Sequence, residues 1–312
     1  MACRARKPRS PAEADDLSPD LVEAVNAVAA QVEVALDALL PVADGPERRV
    51  TEAMRYASLA GGKRLRPFLV LEGARLLDVE EQHALRAAAA LEMVHCYSLV
   101  HDDLPAMDDD DMRRGRPTVH KAFDEATAIL AGDGLLTRAF EVLADPATHP
   151  DGGVRCALVA ALARAAGAEG MVGGQMIDLA VEHRATGIGE VTRLQRLKTG
   201  ALIHFACAAG PILAHAPAQL RDALHFYAQD FGLAFQMADD LLDVEGDPAT
   251  LGKATGKDAG RGKATFVSLL GVERAREQAS RLADQAAAHL APFGASADGL
   301  RQLARWAVER RS

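Results

Sequence analysis

An all-α fold, with many helices packed as one bundle, is what this sequence predicts, and three observations carry the expectation. Leu21, Val25, Val28, Val32, Leu36 and Leu39 recur at three- and four-residue steps, the stripe of a helix with one buried face. Further Ala/Leu-rich stretches follow, each bounded by Gly or Pro. Alternating β-branched runs are missing, and Ala stands where a strand would want Val, Ile or Thr.

Taken in order, residues 1–20 read as a polar, disordered tail with Pro8, Pro11 and Pro19. Its basic start, MACRARKPRS, lacks the apolar core of a secretory signal; a fragment of a transit peptide is the other reading. After the helix of 21–39, apolar stretches at 66–77, 82–100, 123–144, 153–169, 190–214, 217–244 and 265–291 each predict helix. The punctuation includes Gly61-Gly62, Pro146, Gly152-Gly153, Gly210-Pro211 and Gly246. No second boundary interrupts 21–312, so one domain is expected there.

Composition excludes some partners. The 312 residues hold 35 Lys+Arg against 44 Asp+Glu, a net charge of −9, and only 4% aromatics. That balance disfavours a phosphate-backbone binder, and the shortage of rings disfavours a base-stacking platform, so no nucleic-acid partner is expected. Four cysteines, at 3, 96, 156 and 207, form no CxxC pair, and three stand in apolar stretches. Reduced, buried thiols in a cytoplasmic protein are the expectation. No run approaches 18 uninterrupted apolar residues, so no membrane-spanning helix is expected either.

Two aspartate clusters carry the chemistry. The first, HDDLPAMDDDDMRRG, places six acids in ten residues, Asp102 to Asp111, at the end of an apolar helix. The second, FQMADDLLD, sets Gln236, Asp239, Asp240 and Asp243 at helical spacing that reads as one shared face. Like charges so placed destabilise a helix unless something positive binds them. Hard oxygen donors without His or Cys suit Mg²⁺, whose remaining coordination water and phosphate oxygens would fill. Asp109 to Asp111 alone read as a solvated acidic face. Asp239, Asp240 and Asp243, on an otherwise apolar helix, read as a metal site. No EF-hand loop is present.

Cations gather nearby in sequence. Lys63, Arg64 and Arg66 follow Gly61-Gly62, Arg113 and Arg114 follow the first cluster, and Lys198-Thr199 lies in a helical stretch. Lys253, Lys257 and Lys263 stand in a Gly-rich segment. Each alone reads as surface; beside two Mg²⁺-type clusters they suggest a polyanionic substrate bridged between metals and cations. Neither a P-loop nor a dinucleotide loop is present.

These residues together resemble the trans-isoprenyl diphosphate synthases, specifically the short-chain bacterial-type farnesyl diphosphate synthases. The motifs are GGKRLRP (61–67), DDLPAMD (102–108) with RRG (113–115), GGQMIDL (173–179), KTG (198–200), FQMADDLLD (235–243) and the GK segment at 253–263. Six in order make the resemblance specific, and it runs from about residue 21 to about 310. It implies that Lys63, Arg66 and His95, aided by Arg114, hold the diphosphate of isopentenyl diphosphate. It implies three Mg²⁺: Asp102 and Asp108, with Asp103 nearby, hold two, and Asp239 with Asp243, beside Asp240, a third. Arg113, Lys198, Lys253 and Lys263 would add contacts to the allylic diphosphate, and Thr199 and Gln236 would line the site where cationic charge develops.

The resemblance also implies a head-to-tail condensation to farnesyl diphosphate, with Tyr97, five positions before Asp102, as the floor that stops growth. On a 3.6-residue helix Ser98 lies more directly beneath Asp102, so the floor assignment belongs to the resemblance alone. A homodimer is likewise implied by the family. Rival readings are a geranylgeranyl diphosphate synthase, a terpene cyclase, and a non-catalytic subunit of a heteromeric synthase. Lys63, Arg66 and His95 speak against the cyclase, and two intact clusters against the subunit. Glu245, beside the second cluster, departs from the family's small or apolar residue. The basic end, Glu309-Arg310-Arg311-Ser312, matches relatives in which it folds over the active site.

Overall fold

A computed structural model describes residues 19–182, 184, 186–245 and 264–310. The tail expected at 1–20 lies outside them up to residue 18, and so do Lys253 and Lys263. Helix α1 (Pro19–Leu39) carries the predicted stripe, with Leu21, Val28, Val32 and Leu36 buried and Val25 and Leu39 partly so. There follow α2 (Arg48–Ser58), α3 (Leu65–Arg75), α4 (Glu81–Asp102), α5 (Val119–Ala122), α6 (Glu125–Ala144), α7 (Gly152–Ala166), α8 (Met171–Val181) and α9 (Ile188–Gln195). A π-helical turn, Arg196–Gly200, leads into α10 (Ala201–Leu213) and the long α11 (Ala218–Glu245). The chain closes with α12 (Phe266–Leu270), α13 (Val272–His289), a 3₁₀ segment (Ala291–Ala297) and α14 (Asp298–Glu309).

The longest helices, α4 and α11, carry the two aspartate clusters at their C-terminal ends. Helix α4 packs on α1, α3, α6 and α10, and α11 packs on α10, α13 and α14. An Ala run, Ala87–Ala90, lets neighbours approach α4 closely, and all four side chains are fully buried. One hydrophobic core runs from Leu21 to Ala307, with two smaller clusters around Phe266 and Val267.

Three departures from expectation have plain causes. Strands β1 (Met112–Arg113) and β2 (Arg116–Pro117) form an antiparallel hairpin too short to show any alternation. Helix α2 escapes the apolar pattern because its sequence, RRVTEAMRYAS, is mostly polar. Cys156 is exposed, unlike Cys96 and Cys207. It sits two residues from both Val154 and Leu158, whose side chains face the core, so it falls on the outer side of α7.

Gly152–Val181 has the length and hydropathy of a membrane span, against the expectation of none. The chain breaks that stretch at residues 167–170 into α7, of 15 residues, and α8, of 11. Each is shorter than the roughly 20 residues a bilayer core requires.

Candidate active site

A cavity of about 580 Å³ opens beside the end of α4. Its walls include Arg66, His95, Tyr97, Ser98, Asp102, Lys198 and Thr199, with apolar side chains such as Leu99, Met107, Met171 and Leu202. Four separate sequence motifs, GGKRLRP, DDLPAMD, GGQMIDL and KTG, thus meet in one space. Tyr97 is buried in the wall and packs edge-on against His101, their ring centroids 5.7 Å apart.

The π-helical turn is what brings Lys198 and Thr199 into that space. An extra backbone residue in a helical turn re-aims side chains, and such turns concentrate at functional sites. Lys198 Nζ donates to Asp178 Oδ2 at 2.7 Å, which fixes the ammonium beside Asp102. Thr199 Oγ1 donates to Gln236 Oε1 at 3.1 Å, and Gln236 Nε2 donates to Asp240 Oδ1 at 2.9 Å. This relay spends the threonine proton inside the protein and leaves oxygen lone pairs for the cavity. It also ties the first cluster's surroundings to the second. A further cavity, of about 470 Å³, is lined by Arg196 and Gly200 of the same turn but carries no pair of carboxylates.

The aspartates divide into two kinds. Burial, against the pull of Lys198, raises the Asp102 carboxyl to about 6. No side chain among the described residues hydrogen-bonds to it. Asp103 differs: it is buried, and Arg113 donates to it through Nε at 2.9 and 3.0 Å and Nη2 at 2.6 Å. Asp103 and Arg113 are thus paired with each other in this structure.

The second cluster splits the same way. Asp240 is buried, and its two oxygens accept from Gln236 and from the backbone N–H of Phe266, the latter at 2.8 Å. It anchors the start of α12. Asp239 and Asp243 are only partly buried. Within one face of α11, Gln236 with Asp240 and Asp239 with Asp243 form two adjacent rows turned by about 60°, and Asp240 is the buried aspartate of the three. The arrangement fits a divalent cation, since Asp102, Asp108, Asp239 and Asp243 offer hard oxygen donors with no His or Cys among them. A separate group, Asp109, Asp111 and His120, has donor atoms within 4.8 Å of one another on the outer side of the hairpin loop; both aspartates are exposed.

The cations converge as well. Arg66 Nη1 lies 3.4 Å from His95 Nε2. Burial, with Arg66 and Arg114 alongside, pushes His95 well below its ordinary range, so its imidazole is neutral there. Arg114 donates to the Gly61 carbonyl and lies against Gly62, joining the hairpin to the glycine turn. Lys63 stands 5.2 Å over the Trp306 ring. Arg310, from the basic end, bonds Asp239 while stacking 4.2 Å over Phe235. Glu245 pairs with Arg276 of α13 at 2.5 Å, which accounts for its presence beside the second cluster.

Asp178 and Gln175 take part without having been assigned a role from sequence; both lie in GGQMIDL, and Gln175 lines the cavity. The model of the polyprenyl synthetase family matches residues 47–291. The chain belongs to that family. Among curated relatives, the farnesyl diphosphate synthase of Escherichia coli is 46% identical over 84% of this chain and 89% of its own. That of Geobacillus stearothermophilus is 44% identical over 83% and 87%. Among solved structures, an FPP/GFPP synthase from Zymomonas mobilis superposes with a TM-score of 0.86 at 49% identity, covering 94% of this chain and 100% of that one.

Gly174 is where α8 approaches the π turn. A Cβ there would meet Lys198 N at 2.2 Å and Lys198 Cα at 2.6 Å, both backbone atoms. Gly174→Ala should therefore displace Lys198 and lower kcat by about 10²-fold, the usual penalty of an ångström's misplacement. Steady-state kinetics on a variant with unchanged helical circular dichroism checks this; kcat equal to the unsubstituted enzyme would contradict it.

Proposed function

We propose that this chain is a prenyltransferase that condenses isopentenyl diphosphate head-to-tail with dimethylallyl or geranyl diphosphate to give farnesyl diphosphate. The observation that carries the reading is an apolar-walled cavity that gathers Asp102, Arg66 and Lys198, with the Thr199–Gln236–Asp240 relay leading from its wall to the second aspartate cluster. The names and identities of the curated relatives support the same product. The neighbour from Zymomonas mobilis, an FPP/GFPP synthase, supports a longer C25 product as the second reading.

Asp102 and Asp108 would hold two Mg²⁺ and Asp239 with Asp243 a third. When bound, these ions neutralise the departing diphosphate, so that the allylic C–O bond ionises with the electron pair leaving on oxygen. Lys198, held by Asp178, adds a fixed positive charge at the same group. Thr199 Oγ1 and the Gln236 amide oxygen face the cationic charge that develops on carbon. Lys63, Arg66 and Arg114 hold isopentenyl diphosphate so that its double bond attacks the allylic carbon and forms the new C–C bond. A proton then leaves to the departed diphosphate, and no side-chain nucleophile is needed. The apolar walls exclude water that would otherwise capture the cation. Tyr97, buried at the wall, limits the length of the growing chain.

A homodimer completes this reading. Ile129, Val172 and Met176 are 46%, 48% and 60% exposed, yet they line the same cavity. Leu130, beside them on α6, is 57% exposed. A second copy covering α6 and α8 would bury this apolar margin and close the cavity. The free cysteines fit a reducing, cytoplasmic setting.

Chromatography of the product from labelled isopentenyl diphosphate with each primer tests the function. A dominant C15 product is expected; a dominant C20 or C25 product would overturn the assignment of chain length. Tyr97→Ala should shift the product toward longer chains, and an unchanged C15 product would remove Tyr97 from that role. Light scattering should return about twice the chain mass of 33.0 kDa and a single chain mass for Met176→Glu. A monomeric unsubstituted protein would refute the interface.

A further inference from the structure

Arg64 lies between two side chains of the substrate space yet takes no part in it. Its backbone sits in the left-handed region, φ 47°, ψ 39°, as the N-cap of α3. Such a conformation is unfavourable for a residue with a Cβ and persists only where the surroundings enforce it. The enforcement is visible. The side chain is fully buried, and its Nη1 donates to Glu92 Oε1 of α4 at 2.6 Å. Nη2 donates to Glu33 Oε1 of α1 at 2.8 Å and to the Ser58 carbonyl at the end of α2 at 2.6 Å. One guanidinium therefore pins the glycine turn to three helices at once.

From this we infer that Arg64 is a positioning residue for the isopentenyl-diphosphate pocket, acting through Lys63, Arg66 and His95; the inference rests on the function proposed above. With Arg64 drawn inward, Lys63 is turned outward and exposed, and Arg66 opens α3 beside His95. Glu92 lies three residues before His95 on α4, so the Arg64–Glu92 and Arg66–His95 contacts are successive rungs of one α3–α4 seam. The allylic side of the cavity is built separately, from α8, the π turn and the ends of α4 and α11. A buried ion pair alone adds little net stability over an apolar pair of similar volume. Its product here is the left-handed turn and the placement of its neighbours.

The test separates the two substrates. Two variants are assayed, R64K and R64M/E92Q; the second removes the charge from both buried partners, so that neither is left uncompensated. The expected result is a KM for isopentenyl diphosphate raised by about tenfold or more in R64M/E92Q and by less in R64K. KM for geranyl diphosphate should stay within about twofold, and kcat at saturating isopentenyl diphosphate within about threefold. Unchanged constants for both substrates, or equal rises in both, would overturn the inference and leave Arg64 a purely structural residue. Should R64M/E92Q not fold, the same split in R64K decides. The unsubstituted enzyme in the same assay guards the underlying reading: if it forms no prenyl product, the proposed function fails first.

Discussion

The rest of the structure depends on carboxylates that the fold brings together without supplying enough charge to balance them. Asp102 ends α4 among apolar residues, and its carboxyl is raised to about 6 because burial penalises the anion more than Lys198 relieves it. Across the relay of Thr199 and Gln236, Asp239 is met by Arg310 from the far end of the chain. Arg310 stacks on Phe235 and lies near Trp306, and Lys63 lies over that same indole. Scarce aromatics are thus placed where cations need a surface. The net charge of −9 is in part this site, whose balance is completed by what it binds.

Paired aspartates serve two purposes in each cluster. One member, Asp102 or the Arg310-bound Asp239, is only partly buried, and the next in sequence is turned inward to hold architecture. Asp103 fixes Arg113 and with it the hairpin, whose Arg114 reaches back to Gly61. Asp240 fixes Gln236 and the first turn of α12. Consecutive residues on a helix point about 100° apart, so a doubled aspartate can turn one carboxylate inward as a brace while the other stays at the margin. Each brace fixes its neighbourhood through side-chain hydrogen bonds, the kind of placement that electrostatic preorganisation requires.

Much of this was legible in the sequence, and the reasons are physical. Ala/Leu stretches with helical spacing mark α1, α4, α6 and α11, because burial of one face leaves a periodic trace. The motifs that line the cavity are dense in charge and glycine, so they stand out from apolar surroundings. Helix α2 and the hairpin leave no such trace, being polar or only two residues per strand. Spacing could not tell Asp239 from Asp240, because which row faces the cavity depends on how α11 rolls against α10 and α13. The π turn is equally silent, since Arg196–Gly200 has the composition of ordinary helix. Asp178 and Glu92 were hidden for a related cause: their roles exist only toward Lys198 and Arg64, residues distant in sequence.

The central claim is that carboxylates from α4 and α11 bind a diphosphate through divalent cations. Isothermal titration of inorganic diphosphate, with and without Mg²⁺, tests it most directly. A tight site should appear only when Mg²⁺ is present and disappear in the Asp102→Ala, Asp239→Ala double substitution. Identical isotherms with and without Mg²⁺ would contradict the account, because the Lys and Arg side chains alone would then hold the anion.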